Sequence, residues 1–226
     1  MGFWKMIGLI PASGKASRFK GLPKFALPCD VDNKPLIKRQ VDQMSFYVDE
    51  VVVCTTSEWE QLIKSFKLNA EIMIIEPSTM NDAVIKMANK YDSENYIIAM
   101  ADTYFYGENP YLKLSKYTKE NLITVACWKI NDSIKGKVGQ VELVKNSITD
   151  IKDKDPSCDY EHMWGALGLN KEIINKLNKY NAHLGIDLEF QIVDNFDKHY
   201  AFEIDGTYFD LGTLSQYRDL LNRLEL

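Results

Sequence analysis

The sequence predicts an α/β fold with a mostly parallel mixed central sheet, because short apolar runs alternate with segments of helical periodicity. Short, continuously apolar runs are typical of buried parallel strands, and amphipathic segments between them are typical of helices that cover a sheet. The chain has 226 residues, of which 46% are hydrophobic, so it can bury a full core in one domain. The first predicted strands are residues 6–10, 51–54, 72–75 and 96–100.

Helices are predicted between these strands, and a different pattern follows them. The first three helices begin near residues 36, 59 and 83, and Pro35 stands where the first turn of a helix tolerates proline. After about residue 120 the predicted strands are longer, and Gly136 and Gly139 indicate turns or bulges among them. The later strands are predicted at 122–130, 138–144, 161–169 and 200–204, and the later helices at 171–180, 187–195 and 214–226.

Composition excludes several classes of protein. The net charge of -5 argues against general nucleic-acid binding, which requires a broad basic surface. No run approaches the roughly 20 apolar residues of a membrane span, and the first apolar stretch is too short for a signal peptide. Cys29, Cys54, Cys127 and Cys158 form no CxxC pair, so free, mostly buried thiols are expected. We therefore expect a cytoplasmic protein that binds neither nucleic acid nor a membrane.

A loop of small residues after the first strand predicts a phosphate-binding site. Residues 10–19 read IPASGKASRF, and Leu22-Pro23-Lys24 follows. Small side chains let backbone N–H groups approach phosphate oxygens, and the cations Arg18 and Lys24 can neutralise a triphosphate. The Walker pattern is absent, because no lysine followed by serine or threonine begins the helix. The sequence thus predicts a nucleoside triphosphate as the ligand, held in a different kind of cradle.

Two aspartates at predicted strand ends indicate a magnesium site. Asp102 follows the strand predicted at 96–100, and Asp210 lies in the stretch Tyr208-Phe209-Asp210-Leu211-Gly212-Thr213. Ligands bind beyond the carboxyl ends of parallel strands, and Mg²⁺ prefers a few carboxylates together with phosphate oxygens. The alternative, in which each aspartate only caps the next helix or turn, stays open at this stage.

Acid–base machinery is scarce in the sequence. His162, His183 and His199 lie at unrelated spacings, so no zinc site is predicted, and no nucleophile elbow is present. A phosphate monoester has a second pKa near ~6 and is therefore largely dianionic at neutral pH. An enzyme that joins such a phosphate to a nucleotide can work by alignment and charge neutralisation alone.

These stretches resemble the sugar-1-phosphate nucleotidyltransferases, also called NDP-sugar pyrophosphorylases. The resemblance covers most of the chain and implies a small single-domain member, 1–226, with a Rossmann-like, GT-A-like three-layer sandwich. About 1–120 would form the nucleotide-binding half, and about 121–226 the acceptor-binding half. The motifs that carry it are Pro11 to Arg18, Pro23-Lys24, Leu27-Pro28, Lys34-Pro35-Leu36-Ile37, Asp102, Lys137-Val138-Gly139-Gln140-Val141, Asp153-Lys154, Gly165 and the stretch around Asp210.

The resemblance implies a Mg²⁺-dependent enzyme that couples an NTP to a sugar 1-phosphate and releases pyrophosphate. Arg18 and Lys24 would be the catalytic residues, and Asp102 and Asp210 would hold Mg²⁺. Glu76 is a candidate for reading the base, because a carboxylate accepts hydrogen bonds from the amino group of cytosine or guanine. The implied nucleotide-binding residues are Pro11, Ala12, Ser13, Gly14, Glu76, Thr79 and Asp82; the implied acceptor-binding residues are Gly139, Lys154, Glu161 and Gly165.

Three alternatives remain open. A cytidylyltransferase for phosphocholine would use an aromatic cage, since quaternary ammonium groups bind over aromatic rings. A nucleotide-sugar glycosyltransferase usually has a D-x-D metal pair, whereas Asp102 is followed by Thr103 and Tyr104. A non-catalytic regulator would bind an NTP without turnover. The candidate aromatic pocket residues are Tyr104, Phe105, Tyr106, Trp128, Tyr160 and Trp164.

Overall fold

The computed structural model describes residues 5–14, 19, 21–91, 93–131, 134–180 and 184–224. Its strands in chain order are β1 (Met6–Pro11), β2 (Glu50–Thr55), β3 (Glu71–Ile74), β4 (Asn95–Ala99), β5 (Thr103–Gly107), β6 (Ile123–Lys129), β7 (Gly139–Val144), β8 (Ser147–Asp153), β9 (His162–Asn170), β10 (His199–Glu203) and β11 (Gly206–Asp210). Its α-helices are α1 (Leu36–Met44), α2 (Glu60–Ser65), α3 (Met80–Asn89), α4 (Pro110–Tyr117), α5 (Lys171–Lys176), α6 (Leu184–Asp194) and α7 (Leu214–Arg223).

The centre of the fold is a mixed nine-stranded sheet in which seven strands run side by side in the order β10-β6-β9-β4-β1-β2-β3. Strands β4, β1, β2 and β3 are parallel to their neighbours within this group, whereas β9 runs antiparallel to both β4 and β6. Strand β7 pairs with β9 and carries β8 at its other side. A separate antiparallel ribbon joins β5 to β11.

Alternation along the strands produces the three layers. Ile7 and Leu9 of β1 face one apolar cluster, while Met6 and Ile10 face another on the opposite side of the sheet. Helix α3 covers the first face with residues that include Val84, and α1 covers the second face with residues that include Val41. The predicted α/β sandwich with a mostly parallel mixed sheet is therefore confirmed.

The predicted elements agree with the structure most closely where the chain alternates between strand and helix. The first four predicted strands correspond to β1, β2, β3 and β4, with ends that differ by one residue or so. The helix predicted at 171–180 ends at Lys176, because Leu177 has an extended backbone, and the helix predicted at 187–195 begins three residues earlier. Strands β5 and β8 and helix α4 were not predicted, and β11 was anticipated only through the expectation that Asp210 lies at a strand end.

Two further structural findings concern the cysteines and the helices. All four cysteines are free and buried, and burial raises the pKa of Cys54 to about 11. In the described part of the chain, none of the helices combines the length and apolar character required to cross a bilayer.

Candidate active site

A cavity of about 510 Å³ opens at the carboxyl ends of β1 and β4. The segment after β1 forms one wall and is fixed by β2: the N–H of Ala12 donates to the carbonyl of Cys54 at 2.8 Å, and the Thr55 hydroxyl donates to the carbonyl of Ala12 at 3.3 Å. The lining residues are Pro11, Ala12, Ser13, Gly14, Lys24, Phe25, Pro77, Ser78, Thr79, Met80, Met100, Ala101 and Asp102. Five of the predicted nucleotide-binding residues therefore lie together here: Pro11 to Gly14, and Thr79.

Lys24 enters this cavity from a short 3-10 helix that Phe25 anchors in the core. Its Nζ donates to Oδ2 of Asp102 at 2.7 Å. The Lys24 side chain is 20% exposed and that of Asp102 is 36% exposed, so solvent and ligands can reach both charges. The predicted phosphate-binding lysine and the predicted metal-binding aspartate therefore form an ion pair.

The ribbon of β5 and β11 brings the second predicted metal ligand to Asp102. Thr103, directly after Asp102, pairs with Asp210 in the antiparallel register, and the N–H of Leu211 donates to the carbonyl of Asp102 at 3.0 Å. Tyr208 is buried behind the two carboxylates; burial first, and then the charges of Asp210 and Asp102, raise its pKa well above the ordinary value. The two aspartates thus meet at one edge of the sheet although 108 positions separate them in sequence.

A second cavity, of about 190 Å³, adjoins the first. The two cavities share Met80, Met100 and Asp102 in their walls. The second cavity is further lined by Thr103, Lys137, Val138, Gly139, Asp153, Lys154, Met163, Trp164, Leu184, Gly185, Tyr208 and Asp210.

Charged side chains of both signs face this smaller cavity. Lys154 has a left-handed backbone, with φ of 55°, and its Nζ lies 3.8 Å from Oδ2 of the largely buried Asp153. Lys137 lies on the neighbouring turn before β7. Two ammonium groups can bind a phosphate, and a carboxylate such as that of Asp153 can accept hydrogen bonds from hydroxyl groups.

Trp164 forms an apolar surface of the same cavity, and two glycines pack against its ring. A Cβ on Gly139 would lie 2.1 Å from Nε1 of Trp164, which leaves space for glycine alone. A Cβ on Gly185 would lie 3.4 Å from Cζ2 of the same indole. The predicted acceptor-binding Gly139 therefore determines where the indole ring can lie.

Two predicted nucleotide-binding residues lie away from the larger cavity's wall. Glu76 is exposed, and its Oε1 accepts hydrogen bonds from the backbone N–H and the hydroxyl of Ser57, which lower the pKa of Glu76. The Asp82 carboxylate accepts from the N–H of Ser78 and from Lys86. Burial opposes ionisation of Asp82, but these hydrogen bonds outweigh it and lower its pKa. In the structure both carboxylates therefore have local partners: Glu76 has Ser57, at the start of a short 3-10 helix, and Asp82 lies in the first turn of α3.

Two further predicted residues, Glu161 and Gly165, do not line either cavity among the residues that the structure describes. Glu161 is exposed and does not line the smaller cavity, although its carbonyl accepts from the N–H of Ile130. Gly165 is buried beneath the site, where a Cβ would lie 2.4 Å from the Tyr208 ring and 2.7 Å from Trp128. Arg18 lies outside the described residues, so the structure gives it no position.

The aromatic residues proposed as a cage separate into different environments. Of the six, Trp164 lines the smaller cavity, whereas Trp128 and Phe105 are buried in the core. Tyr104 packs under the guanidinium of Arg39, with 4.4 Å from Cζ to the ring centroid. Tyr106 is half exposed, and the Tyr160 hydroxyl donates to Asp150.

Sequence reasoning did not select several residues of the smaller cavity. Lys137 was noted only as the first residue of the motif Lys137-Val138-Gly139-Gln140-Val141 and was not assigned to acceptor binding. Leu184 and Gly185 reach the cavity because α6 packs on β8, a contact that no local pattern indicates. Tyr208 was noted only as part of the motif around Asp210.

Comparison with known proteins relates this site to nucleotide chemistry. Residues 8–153 match the family described as MobA-like NTP transferase domain, which is more than half of the chain. No curated protein is similar enough to this chain to be matched.

Solved structures share the whole fold at low sequence identity. A Bacillus anthracis protein assigned as a glucose-1-phosphate thymidylyltransferase has 15% identity and a TM-score of 0.82, over 97% of this chain and 95% of that one. A UDP-glucose pyrophosphorylase complexed with UDP-glucose has 17% identity and a TM-score of 0.79, over 98% of each chain. An inositol-1-phosphate CTP transferase from T. maritima has 15% identity and a TM-score of 0.73, over 100% of this chain and 98% of that one. At these identities the likeness shows the GT-A-like nucleotidyltransferase fold.

Proposed function

The chain belongs to the family of MobA-like NTP transferase domains, a family of nucleotidyltransferases, and we propose that it joins an NTP to a sugar 1-phosphate with release of pyrophosphate. One observation carries this proposal: the two cavities share a wall at Asp102, where Lys24 is bonded. A transferase that aligns two phosphorylated substrates needs two adjoining sites with charged groups at their junction.

The larger cavity supports NTP binding. Its wall from Pro11 to Gly14 is formed by small residues, which allow close approach of phosphate oxygens to the backbone. We assign Lys24 to the α-phosphate, because its ammonium group lies at the junction of the two cavities. There it would stabilise the charge that redistributes as the bond to the leaving group breaks. Arg18 is proposed to neutralise the pyrophosphate on the strength of the sequence alone.

The smaller cavity supports binding of the acceptor. Lys154 and Lys137 would hold its phosphate, and Asp153 would accept hydrogen bonds from its hydroxyl groups. In the reaction an oxygen of the acceptor phosphate attacks the α-phosphorus of the NTP. The new P–O bond forms as the bond from the α-phosphorus to the bridging oxygen breaks, and pyrophosphate leaves with that electron pair. The attacking dianion needs no general base.

The donor set at the junction fits Mg²⁺. Asp102 and Asp210 offer hard carboxylate oxygens, and within the described ranges no group of three or more histidine, cysteine or acidic side chains forms a closed metal site. Two carboxylates leave most of an octahedral shell for phosphate oxygens and water, as Mg²⁺ prefers. When bound by these residues, Mg²⁺ would supply charge neutralisation for both phosphates.

The test is a matrix of substrates with pyrophosphate release as the readout. Each of the NTPs is combined with sugar 1-phosphates, inositol 1-phosphate and phosphocholine, with Mg²⁺ or with EDTA. We expect release only when an NTP, a sugar 1-phosphate and Mg²⁺ are all present. Pyrophosphate release in the absence of an acceptor would contradict the proposal, and so would a failure of every acceptor in the panel to support release. Binding of an NTP without any turnover would favour a non-catalytic regulator.

A surface ion pair supplies matched controls for the catalytic variants. Lys34 and Asp42 lie 3.4 Å apart and outside both cavities. We expect Lys24→Ala and Asp102→Ala to reduce turnover roughly 100-fold or more, by analogy with the removal of other groups that stabilise developing charge. Lys34→Ala and Asp42→Ala should leave it unchanged. If the alanine variants of Lys24 and Asp102 changed turnover no more than those of Lys34 and Asp42, Lys24 and Asp102 would not be catalytic.

Phosphocholine remains the second candidate acceptor. Trp164 and Tyr208 both line the smaller cavity, together with the carboxylates of Asp153 and Asp210. Aromatic faces and nearby acids favour a quaternary ammonium group. Preferential pyrophosphate release with CTP and phosphocholine in the same matrix would select this reaction over sugar activation.

A further inference from the structure

A buried carboxylate outside both cavities joins the two helices that border them. Oδ2 of Asp187, on α6, accepts hydrogen bonds from the side-chain amide of Asn81 on α3 at 2.6 Å and from the backbone N–H of Asn178 at 2.8 Å. The Asn81 amide also donates to the carbonyl of Asn178 at 3.3 Å. Asn81 is 0% exposed and Asp187 is 7% exposed, so these bonds form within the protein interior.

Each of the two helices contributes its N-terminal end to a cavity wall. On α3, Thr79 at the N-cap lines the larger cavity and Met80 lines both. On α6, Leu184 and Gly185 line the smaller cavity. Asp187 lies two residues after Gly185, so the bridge holds the turn of α6 that faces the acceptor cavity.

The bridge has few ways to rearrange. A buried carboxylate that loses its hydrogen-bond partners costs several kcal/mol, so the position of Asp187 follows the donors on Asn81 and Asn178. A second hydrogen bond holds the chain before α6 to the N-terminus of α3, because the Thr79 hydroxyl donates to the carbonyl of Lys179, next to Asn178, at 2.7 Å. Gly185 in turn lies against the Trp164 ring and Asp153, and a shift of this turn would move that wall.

We propose that Asp187 is a positioning residue for the acceptor cavity. Through Asn81 it fixes the first turn of α6 against α3, and so it holds Leu184 and Gly185 where the acceptor binds. That the smaller cavity binds the acceptor rests on the proposed function. That Asp187 holds the wall of this cavity in place does not depend on it. The expected consequence is selective: the acceptor binds more weakly without the bridge, and the nucleotide does not.

The first test measures the backbone of the free protein. Hydrogen exchange of the amides of residues 188–191, which donate to the carbonyls of the first turn of α6, should become at least tenfold faster in Asp187→Ala and in Asn81→Ala. Asp187→Asn should restore slow exchange, because its amide oxygen accepts from both donors and its NH₂ can donate to Oδ1 of Asn81, which has no partner among the described residues. Asp194→Ala, an exposed position on the same helix, is the control.

The second test separates the two substrates. We expect Asp187→Ala and Asn81→Ala to raise the acceptor KM about tenfold, with kcat and the NTP KM within twofold of wild type and with rescue by Asp187→Asn. Unchanged exchange in a folded Asn81→Ala variant, or an equal rise in both KM values, would overturn the positioning role. Faster exchange together with no turnover of any acceptor by the wild type would instead overturn the proposed function and leave the positioning supported.

Discussion

The ion pair of Lys24 and Asp102 lies where the two cavities meet. In the free protein each charge neutralises the other at 2.7 Å. Because both side chains are partly exposed, the pair is worth only about 0–1 kcal/mol, and substrates can displace it at little cost. We infer that the lysine exchanges its carboxylate partner for a phosphate when an NTP enters.

This exchange predicts that Asp102→Asn binds metal-free NTP more tightly than wild type. Removal of the carboxylate releases Lys24 and removes a negative charge from the cavity wall, so the affinity should rise roughly three- to tenfold, which corresponds to about 1 kcal/mol of Coulomb energy in a hydrated site. Calorimetry in EDTA measures it, and Asp42→Asn is the control. The same variant should lose turnover with Mg²⁺. Unchanged or weaker binding in EDTA would show that the pair does not compete with the triphosphate.

The contact of Gly139 with Trp164 gives a second prediction for a single residue. Gly139→Ala places a Cβ 2.1 Å from the indole Nε1, so the ring must shift, and we expect a loss of about 1–3 kcal/mol in stability. Chemical denaturation measures this loss, and a changed tryptophan fluorescence spectrum should accompany it. Gly14→Ala, whose Cβ would have no atom of the described residues within 4 Å, is the stability control. Equal stability of the two variants would contradict the packing argument.

Among the elements, β10 depends on a histidine that bonds in its neutral form. Nε2 of His199 accepts a hydrogen bond from the backbone N–H of Ile148 on β8 at 2.9 Å. Burial lowers the pKa of His199, and the opposing contributions of nearby groups, including Asp197, do not compensate. An imidazolium cannot accept this bond, so protonation removes the link between the two strands.

The sign of this pKa shift predicts a loss of stability in mild acid. The unfolded chain binds a proton at His199 near its ordinary pKa of about 6.5, and the folded protein does so only at lower pH. The contribution of neutral His199 to the free energy of unfolding is therefore complete above about pH 6.5, and it is lost as pH falls towards the lowered pKa of the folded protein. His199→Gln, whose amide oxygen accepts from Ile148 without titrating, should show a smaller fall in Tm between pH 7 and pH 5. An equal fall in Tm between pH 7 and pH 5 for the wild type and His199→Gln would contradict this prediction.

The sequence predicted elements where the local pattern and the final packing agree, and missed those that depend on distant partners. Strands β1 and β4 are apolar on both faces and bounded by polar residues, so their assignment needed no partner. Strands β5 and β11 are five residues each, and their paired residues lie 99 to 107 positions apart in sequence, which no local period indicates. Asp102 and Asp210 were nevertheless predicted as a pair, because each follows or ends a strand at the ligand edge of the sheet.

The same reasoning explains what could be predicted of the site. The phosphate loop and Lys24 lie close together in sequence and were selected from composition and spacing. Glu76 was selected as an acceptor for a base, but nothing in its neighbourhood indicated that Ser57 would bond its carboxylate. Gly185 reaches its cavity only through the packing of α6, a tertiary contact beyond the reach of periodicity.

At the scale of the whole molecule, the two cavities draw differently on the two halves of the chain. Among the residues that the structure describes, those that line the larger cavity lie between positions 11 and 102. The smaller cavity takes Met80, Met100, Asp102 and Thr103 from the first half and its other lining residues from the second. The smaller cavity is thus closed on one side by residues that also line the larger one, so we expect a ligand in one cavity to alter the wall of the other.

This shared wall predicts that the two substrates bind cooperatively. On the proposed assignment, Mg²⁺ bound with an NTP would offset the charge of Asp102, and the nucleotide would complete the shared wall beside Met80 and Met100, so we expect the acceptor to bind more tightly when the NTP is in place. With a non-hydrolysable NTP analogue and Mg²⁺ present, we expect the acceptor affinity to rise about five- to tenfold, a coupling of about 1 kcal/mol. Titration calorimetry in both orders measures it, and linkage requires the same factor for the analogue when the acceptor is added first. Asp102→Asn should reduce the coupling, whereas Asp42→Asn should retain it. Independent binding of the two ligands would show that the junction at Asp102 does not transmit occupancy between the cavities.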